Sequence, residues 1–238
     1  MSELQLQAKK RVGSQIADWI DDGMTLGLGT GSTAAEAIRA LGKRIESEGL
    51  TVRGVATSFA AERLAHENRI PLISLEDVDF LDLAFDGADE VDPGTNLIKG
   101  RGAAQTREKI VASASRRFVV LVDESKLVRH LGEKMPLTVE FVPLAMAPVS
   151  KIIRELGGRP RLRMGQRKDG PVVSDQGLWI IDAAFSEAFD VQRVNDGLLS
   201  TPGVLDHGLF LNLATDVLVG HSDGTVEHLK GQDRSTRE

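Results

Sequence analysis

Three glycine-punctuated stretches hold most of the chemistry this sequence can offer. They are Gly27-Leu28-Gly29-Thr30-Gly31-Ser32-Thr33, Asp86-Gly87-Ala88-Asp89-Glu90-Val91-Asp92 and the run from Lys99 to Lys109, KGRGAAQTREK. In the first, glycines let main-chain N–H groups face a ligand. A helix opening directly behind them adds the positive end of its dipole, and Thr30, Ser32 and Thr33 add hydroxyl donors, so the natural ligand is an anion. The same residues also suit a tight turn in which Ser32 or Thr33 caps the helix. A dinucleotide fingerprint wants a third glycine where Ser32 stands and an acid at the end of the second strand, which here runs into Thr57-Ser58. A P-loop needs Gly-Lys-Ser or Gly-Lys-Thr, which is missing. A phosphorylated small molecule fits better than a nucleotide.

The second stretch gathers carboxylates directly after the apolar run Leu81 to Phe85. Loops at the carboxyl ends of parallel strands line the ligand crevice, so these acids are expected on the same side as the glycine turn. They can accept hydrogen bonds from hydroxyls and shuttle a proton, hold a divalent cation, or form a solvated acidic turn. In the third stretch, Lys99 can stabilise negative charge on a substrate oxygen, and Glu108 lies about one turn into a helix. Helix capping and the macrodipole also favour an acid there. A fourth element, Asp123-Glu124-Ser125-Lys126, follows another predicted strand, and Lys126 can reach a phosphate from it. The five histidines show no zinc-ligand spacing.

Positioning these loops requires strands that alternate with helices. Val12, Ile16 and Ile20 recur at helical spacing, and strands are expected at Met24–Leu28, Val52–Ala56, Pro71–Ile73, Leu81–Phe85 and Phe118–Val122. Helices are expected at Ala34–Ile45, Ala60–Glu67 and Ala103–Ser115 between some of them. The order implies an α/β class with a Rossmann-like, mostly parallel sheet covered on both faces. From about Pro136 the texture changes. Strands at Leu137–Val142, Leu162–Met164, Val172–Ser174 and Leu178–Asp182, with helices at Val149–Leu156 and Phe185–Leu198, suit a smaller α+β unit of ferredoxin-like type. Strand-like segments at Leu209–Leu213 and Asp216–Val219 are expected to return to the first domain. The expected domains are 1–132 plus 204–238, and 133–203.

The chain has 238 residues, 41% of them hydrophobic, no cysteine and a formal charge of −6. Such a chain buries a sizeable core, has no disulfide framework and no cysteine nucleophile, and fits the cytoplasm. The charge argues against broad nucleic-acid binding, and no run approaches a membrane span.

The ordered set GTGST, DGADEVD, KGRGAAQTREK, DESK and PGVLDHGLF, spanning residues 29 to 210, resembles the ribose-5-phosphate isomerase A family. The resemblance implies interconversion of ribose 5-phosphate and ribulose 5-phosphate without cofactor or metal, by a homodimer or homotetramer whose partner is a small sugar phosphate. It implies that Glu108 moves a proton between C1 and C2 through an enediolate, that Asp86 assists ring opening and that Lys99 stabilises the oxyanion. Thr30, Gly31, Ser32, Thr33, Asp86, Gly87, Ala88, Asp89, Lys99, Gly100, Arg101, Gly102 and Lys126 would form the substrate site. Arg101 departs from the family pattern, standing where many members have a third consecutive glycine. The rival readings are a related sugar-phosphate deaminase or lactonase, and a sensor that binds the sugar phosphate unchanged.

Overall fold

Apolar runs bounded by glycine, proline and polar turns become short strands here, and amphipathic stretches between them become helices. The computed structural model describes residues 3–232. In chain order the elements are α1 (Glu3–Ala17), β1 (Thr25–Leu28), α2 (Ser32–Glu48), β2 (Arg53–Ala56), α3 (Phe59–Glu67), β3 (Leu81–Gly87), β4 (Glu90–Val91), β5 (Leu97–Ile98), α4 (Gln105–Ser113) and β6 (Ser115–Asp123). They continue as β7 (Leu137–Phe141), α5 (Met146–Glu155), β8 (Arg159–Leu162), β9 (Trp179–Ala184), α6 (Val191–Leu199), β10 (Val204–His207), β11 (Leu209–Phe210), β12 (Asp216–Gly220) and β13 (Val226–Lys230). The described chain forms two units: 3–88 with 107–127 and 212–232, and 89–106 with 128–211.

The first unit is built on a six-stranded sheet in the order β13-β12-β6-β3-β1-β2. All neighbours are parallel except the terminal β12–β13 pair. Every residue of β1 and β12 is buried, as expected of parallel strands covered on both faces. Val12, Ile16 and Ile20 pack with Ala37, Ile38 and Leu41 of α2 onto Leu26, Leu28, Leu83 and Phe85 of the sheet. Truncating a fully enclosed member such as Leu26 or Ile38 to alanine costs about 2–5 kcal/mol.

The second unit carries a four-stranded antiparallel sheet in the order β10-β7-β9-β8. Together with α5 and α6 the connection is β7-α5-β8-β9-α6-β10, which is the ferredoxin-like order. Val139, Phe141, Val149, Ile153, Ile181 and Leu198 share its core. A second, three-stranded sheet, β11-β5-β4, belongs to the same unit and bears the segment that leads into Lys99.

Some elements differ from the sequence expectation. Pro71–Ile73 makes only an isolated parallel bridge to Gly54, because Pro71 has no N–H to give and the pairing stops after one exchange. Val172–Ser174 likewise makes one bridge, Val173 to Trp179, and the strand placed at Leu162–Met164 lies earlier, at Arg159–Leu162. The helix expected from Phe185 begins at Val191, where the Asp190 side chain accepts the Arg193 N–H, while Phe185 and Phe189 stack upstream with ring centroids 4.1 Å apart. The short strands β4, β5 and β10 and the edge strand β13 went unpredicted. No helix among the described residues is long and apolar enough to cross a membrane.

Candidate active site

Within the first unit, the loops after β1, β2, β3 and β6 all open at the carboxyl ends of parallel strands. Gly29 brings two of them together. A Cβ there would lie 2.3 Å from the Phe85 carbonyl oxygen and 2.5 Å from Asp86 Cα, so only glycine permits the approach. The Thr30 N–H then donates to Asp86 Oδ1 at 2.9 Å, and the Gly87 N–H donates to the same oxygen at 2.7 Å. Asp86 is thereby fixed at the end of β3 with 2% exposure. Thr30 Oγ1 donates to Ser58 Oγ at 2.7 Å and lies 2.8 Å from Thr57 Oγ1, and Ser58 in turn caps α3 by accepting the Ala61 N–H. Thr57 and Ser58 therefore support the glycine loop, a role not foreseen from their sequence position. Gly31 and Ser32 are exposed at the start of α2, and Thr33 is buried.

Lys9, on α1, is a second residue the sequence did not mark. Its Nζ donates to Ser32 Oγ at 2.9 Å and lies 3.7 Å from Asp123 Oδ2, with the side chain largely buried. Asp123 also accepts the Ser125 N–H and hydroxyl, closing the turn that carries the half-buried Lys126. One ammonium thus ties the GTGST loop to the DESK loop. On the outer side of that turn Glu124 is held below its ordinary value by donors from Ser222 and then His221. His221 is raised, first by its hydrogen bond to Glu124 at 3.0 Å, against a lowering by burial, and then by Glu227 at 3.1 Å.

Glu108 lies in the part of α4 that belongs to the first unit and is 6% exposed. That helix packs over β1: Val111 Cγ1 would lie 2.5 Å from a Cβ on Gly27, two residues ahead of Gly29. Close packing at Gly27 sets the height of the helix over the strand that leads into the anion loop.

In the second unit, the acids of the DGADEVD stretch separate by role. The Asp89 Oδ2 accepts the Arg101 N–H at 2.9 Å, which joins two of the marked segments. Glu90 is fully buried and accepts backbone N–H groups from Gly132 at 2.6 Å and Met135 at 2.7 Å, which makes it a structural anchor. Asp92 accepts from the Asn96 backbone at 2.8 Å and so closes the β4–β5 turn. Lys99 is 3% exposed, its N–H donates to the Gly208 carbonyl at 2.9 Å, and its Nζ stands 5.6 Å from the Phe210 ring centroid. The PGVLDHGLF stretch therefore supports Lys99 through β11, which pairs with β5. The Arg101 side chain is exposed, so the arginine is accommodated without altering the backbone bond to Asp89. Among the described residues no group of three or more His, Asp or Glu side chains is arranged to hold a metal ion.

Comparison with known proteins gives a concordant result. A family model described as ribose 5-phosphate isomerase A (phosphoriboisomerase A) matches residues 53–224. Ribose-5-phosphate isomerase A of Thermosynechococcus vestitus is 51% identical over 215 residues, covering 90% of this chain and 91% of that one. The Methanosarcina acetivorans protein of the same name is 46% identical and covers 94% of both chains. The structure of ribose 5-phosphate isomerase A from Methanocaldococcus jannaschii superposes with a TM-score of 0.89 at 47% identity, over 94% of this chain and 98% of that one. A D-ribose-5-phosphate isomerase in complex with phospho-erythronic acid superposes with a TM-score of 0.90 at 44% identity, over 94% of this chain and 97% of that one.

Proposed function

Because the chain belongs to the ribose 5-phosphate isomerase A family and is an isomerase that interconverts D-ribose 5-phosphate and D-ribulose 5-phosphate, we propose that it moves a proton between C1 and C2 with Glu108 as the base. Asp86 takes part in opening the sugar ring by passing a proton between the ring oxygen and the anomeric hydroxyl. The Glu108 carboxylate then removes the proton from C2, a double bond forms between C1 and C2, and the carbonyl oxygen on C1 takes the negative charge. Returning the proton to C1, while the hydroxyl proton on O2 passes to O1, leaves the ketone at C2 and a hydroxyl at C1. A sugar carbon acid is weak, so the base needs a partner that stabilises the enediolate oxygen, and Lys99 fills that role. Asp89 lies close to the sugar hydroxyls, together with Gly87, Ala88, Gly100, Arg101 and Gly102.

The phosphate is assigned to Thr30, Gly31, Ser32 and Thr33 with Lys126, and Lys9 joins them. The observation that carries this assignment is the Lys9–Ser32–Asp123 bridge, which places a buried ammonium between two loops rich in donors. Support also comes from the ligand of the related structure: phospho-erythronic acid joins a carboxylate to a phosphate, the pair of charges an enediolate of the substrate would present. The sequence division, 1–132 with 204–238 and 133–203, differs from the two units in placing 89–106, 128–132 and 204–211 with the first. The assembly is proposed to be a homodimer or homotetramer, in the cytoplasm, working without cofactor.

The proton-transfer step is tested by running the reaction to equilibrium in D2O containing EDTA. Deuterium at C1 of ribulose 5-phosphate, read by NMR, is the expected result. No deuterium after many turnovers would point to a hydride shift, and loss of turnover on adding EDTA would make Asp86 and Asp89 metal ligands.

A further inference from the structure

Glu140 is a buried acid that no step above uses. It stands in β7, whose five residues are all buried, and is itself 1% exposed. An apolar residue would satisfy such a strand with less penalty, since a carboxylate gives up its hydration there. Its partners among the described residues are two hydroxyls and one amide, with no cation. Thr106 Oγ1 and Ser174 Oγ donate to the two carboxylate oxygens, and Gln105 Nε2 donates at 3.1 Å to the oxygen that also receives Thr106. Ser174 is itself oriented by the turn before β9, accepting the N–H groups of Gln176 at 3.2 Å and Leu178 at 3.3 Å.

The other end of this network is the start of α4. Gln105 and Thr106 are its first two residues, both buried, and Glu108 follows two positions later in the same helix. A helix of nine residues does not hold itself in water, so its start must be fixed by tertiary contacts. The segment just before it is held from the same small sheet: Arg163, paired with Asp182, donates to the carbonyls of Gly100 at 2.9 Å and Arg101 at 3.1 Å.

We propose that Glu140 is a positioning residue for the isomerisation: by holding the side chains of Gln105 and Thr106 it sets the rotation of the helix that carries Glu108. The inference rests on Glu108 being the base, as proposed above. It assigns the small antiparallel sheet a part in catalysis, as the template on which the segment 99–106 is fixed.

The test is steady-state kinetics on ribose 5-phosphate at a temperature where circular dichroism shows each variant folded. Misplacing a base by about 1 Å costs on the order of 100-fold, so Glu140→Gln and Thr106→Val are expected to lose about 10- to 100-fold in kcat, with KM within about threefold. Thr106→Ser keeps the hydroxyl and is expected to stay within about twofold of wild type. Glu108→Gln/Glu140→Gln is expected to be no slower than Glu108→Gln alone, because Glu140 acts through the base. Wild-type kcat in folded Glu140→Gln, a loss confined to KM, or a double variant slower by the full factor would overturn the proposal. If Glu140→Gln does not fold, the Thr106 pair decides, and wild-type kcat in Thr106→Val overturns it. An active Glu108→Gln would remove the base assignment and this inference together, whereas an inactive Glu108→Gln beside a wild-type Glu140→Gln would remove the inference alone.

Discussion

Replacing Lys9 by methionine keeps the length of the side chain and removes its charge. In the folded protein that charge donates to Ser32 Oγ at 2.9 Å and faces Asp123 Oδ2 at 3.7 Å, both on loops assigned to the phosphate. A hydrogen bond from a charged group contributes about 1.5–3 kcal/mol, which corresponds to about 10- to 150-fold in affinity. The phosphate is remote from C1 and C2, so the loss falls alike on substrate and transition state, and KM should rise by about that factor with kcat within about threefold. Asp123 keeps the Ser125 N–H and hydroxyl and is not stranded. A destabilisation of about 1–2 kcal/mol should therefore lower Tm by about 2–8 °C. The assay is initial-rate kinetics on ribose 5-phosphate beside thermal denaturation. A lower Tm with unchanged KM would refute the reasoning, because Lys9 would then serve only to join α1 to the two loops.

Three other changes follow from the same geometry. Lys99→Met should leave a folded enzyme whose kcat falls by about 100- to 1000-fold, the usual cost of losing one oxyanion donor, and a loss under tenfold would remove Lys99 from that role. Asp86→Asn retains an oxygen to accept the Thr30 and Gly87 N–H groups, so folding should persist while kcat falls by about 100- to 10,000-fold; wild-type kcat would exclude Asp86 from proton transfer. The Glu124–His221–Glu227 contact should be pH-dependent in a defined direction. His221 is raised, so its contribution is full below its unfolded value of about 6.5 and is lost as pH rises through the higher folded value. Glu124 is lowered, so its contribution is present above about 4.3 and is lost as pH falls through the lower folded value. The Tm difference between wild type and His221→Gln should be greatest between those limits and shrink toward high pH, and a difference independent of pH would contradict this.

The parallel sheet and the ferredoxin-like unit were legible in the sequence because their strands are continuous apolar runs and their helices carry one-sided faces. The candidate loops stood out for a related reason: each sets glycine beside hydroxyls or acids directly after such a run, where a parallel sheet opens its ligand crevice. What escaped was whatever depends on partners distant in sequence. Strands β4 and β5 are two residues each, too short for any alternation to register, and exist because β11 closes them. Lys9 reads as one more polar position on a helix until α1 is seen to bring it to Ser32. The four acids between Asp86 and Asp92 look equivalent, yet Glu90 turns inward to backbone amides while Asp89 meets the Arg101 N–H. Glu140 gave no signal because one acid within an apolar run reads as a solvent-facing position, and only its burial against Gln105, Thr106 and Ser174 marks it.

Turnover of ribose 5-phosphate by Glu108→Gln tests the central claim most directly, with binding of a five-carbon sugar phosphate followed by calorimetry on the same preparation. The account predicts that kcat falls by at least about 1000-fold while binding stays within about threefold of wild type, since the amide keeps the shape of the side chain and loses the base. A folded Glu108→Gln enzyme that turns over within about tenfold of wild type would contradict it, and the proton would have to be carried by another group.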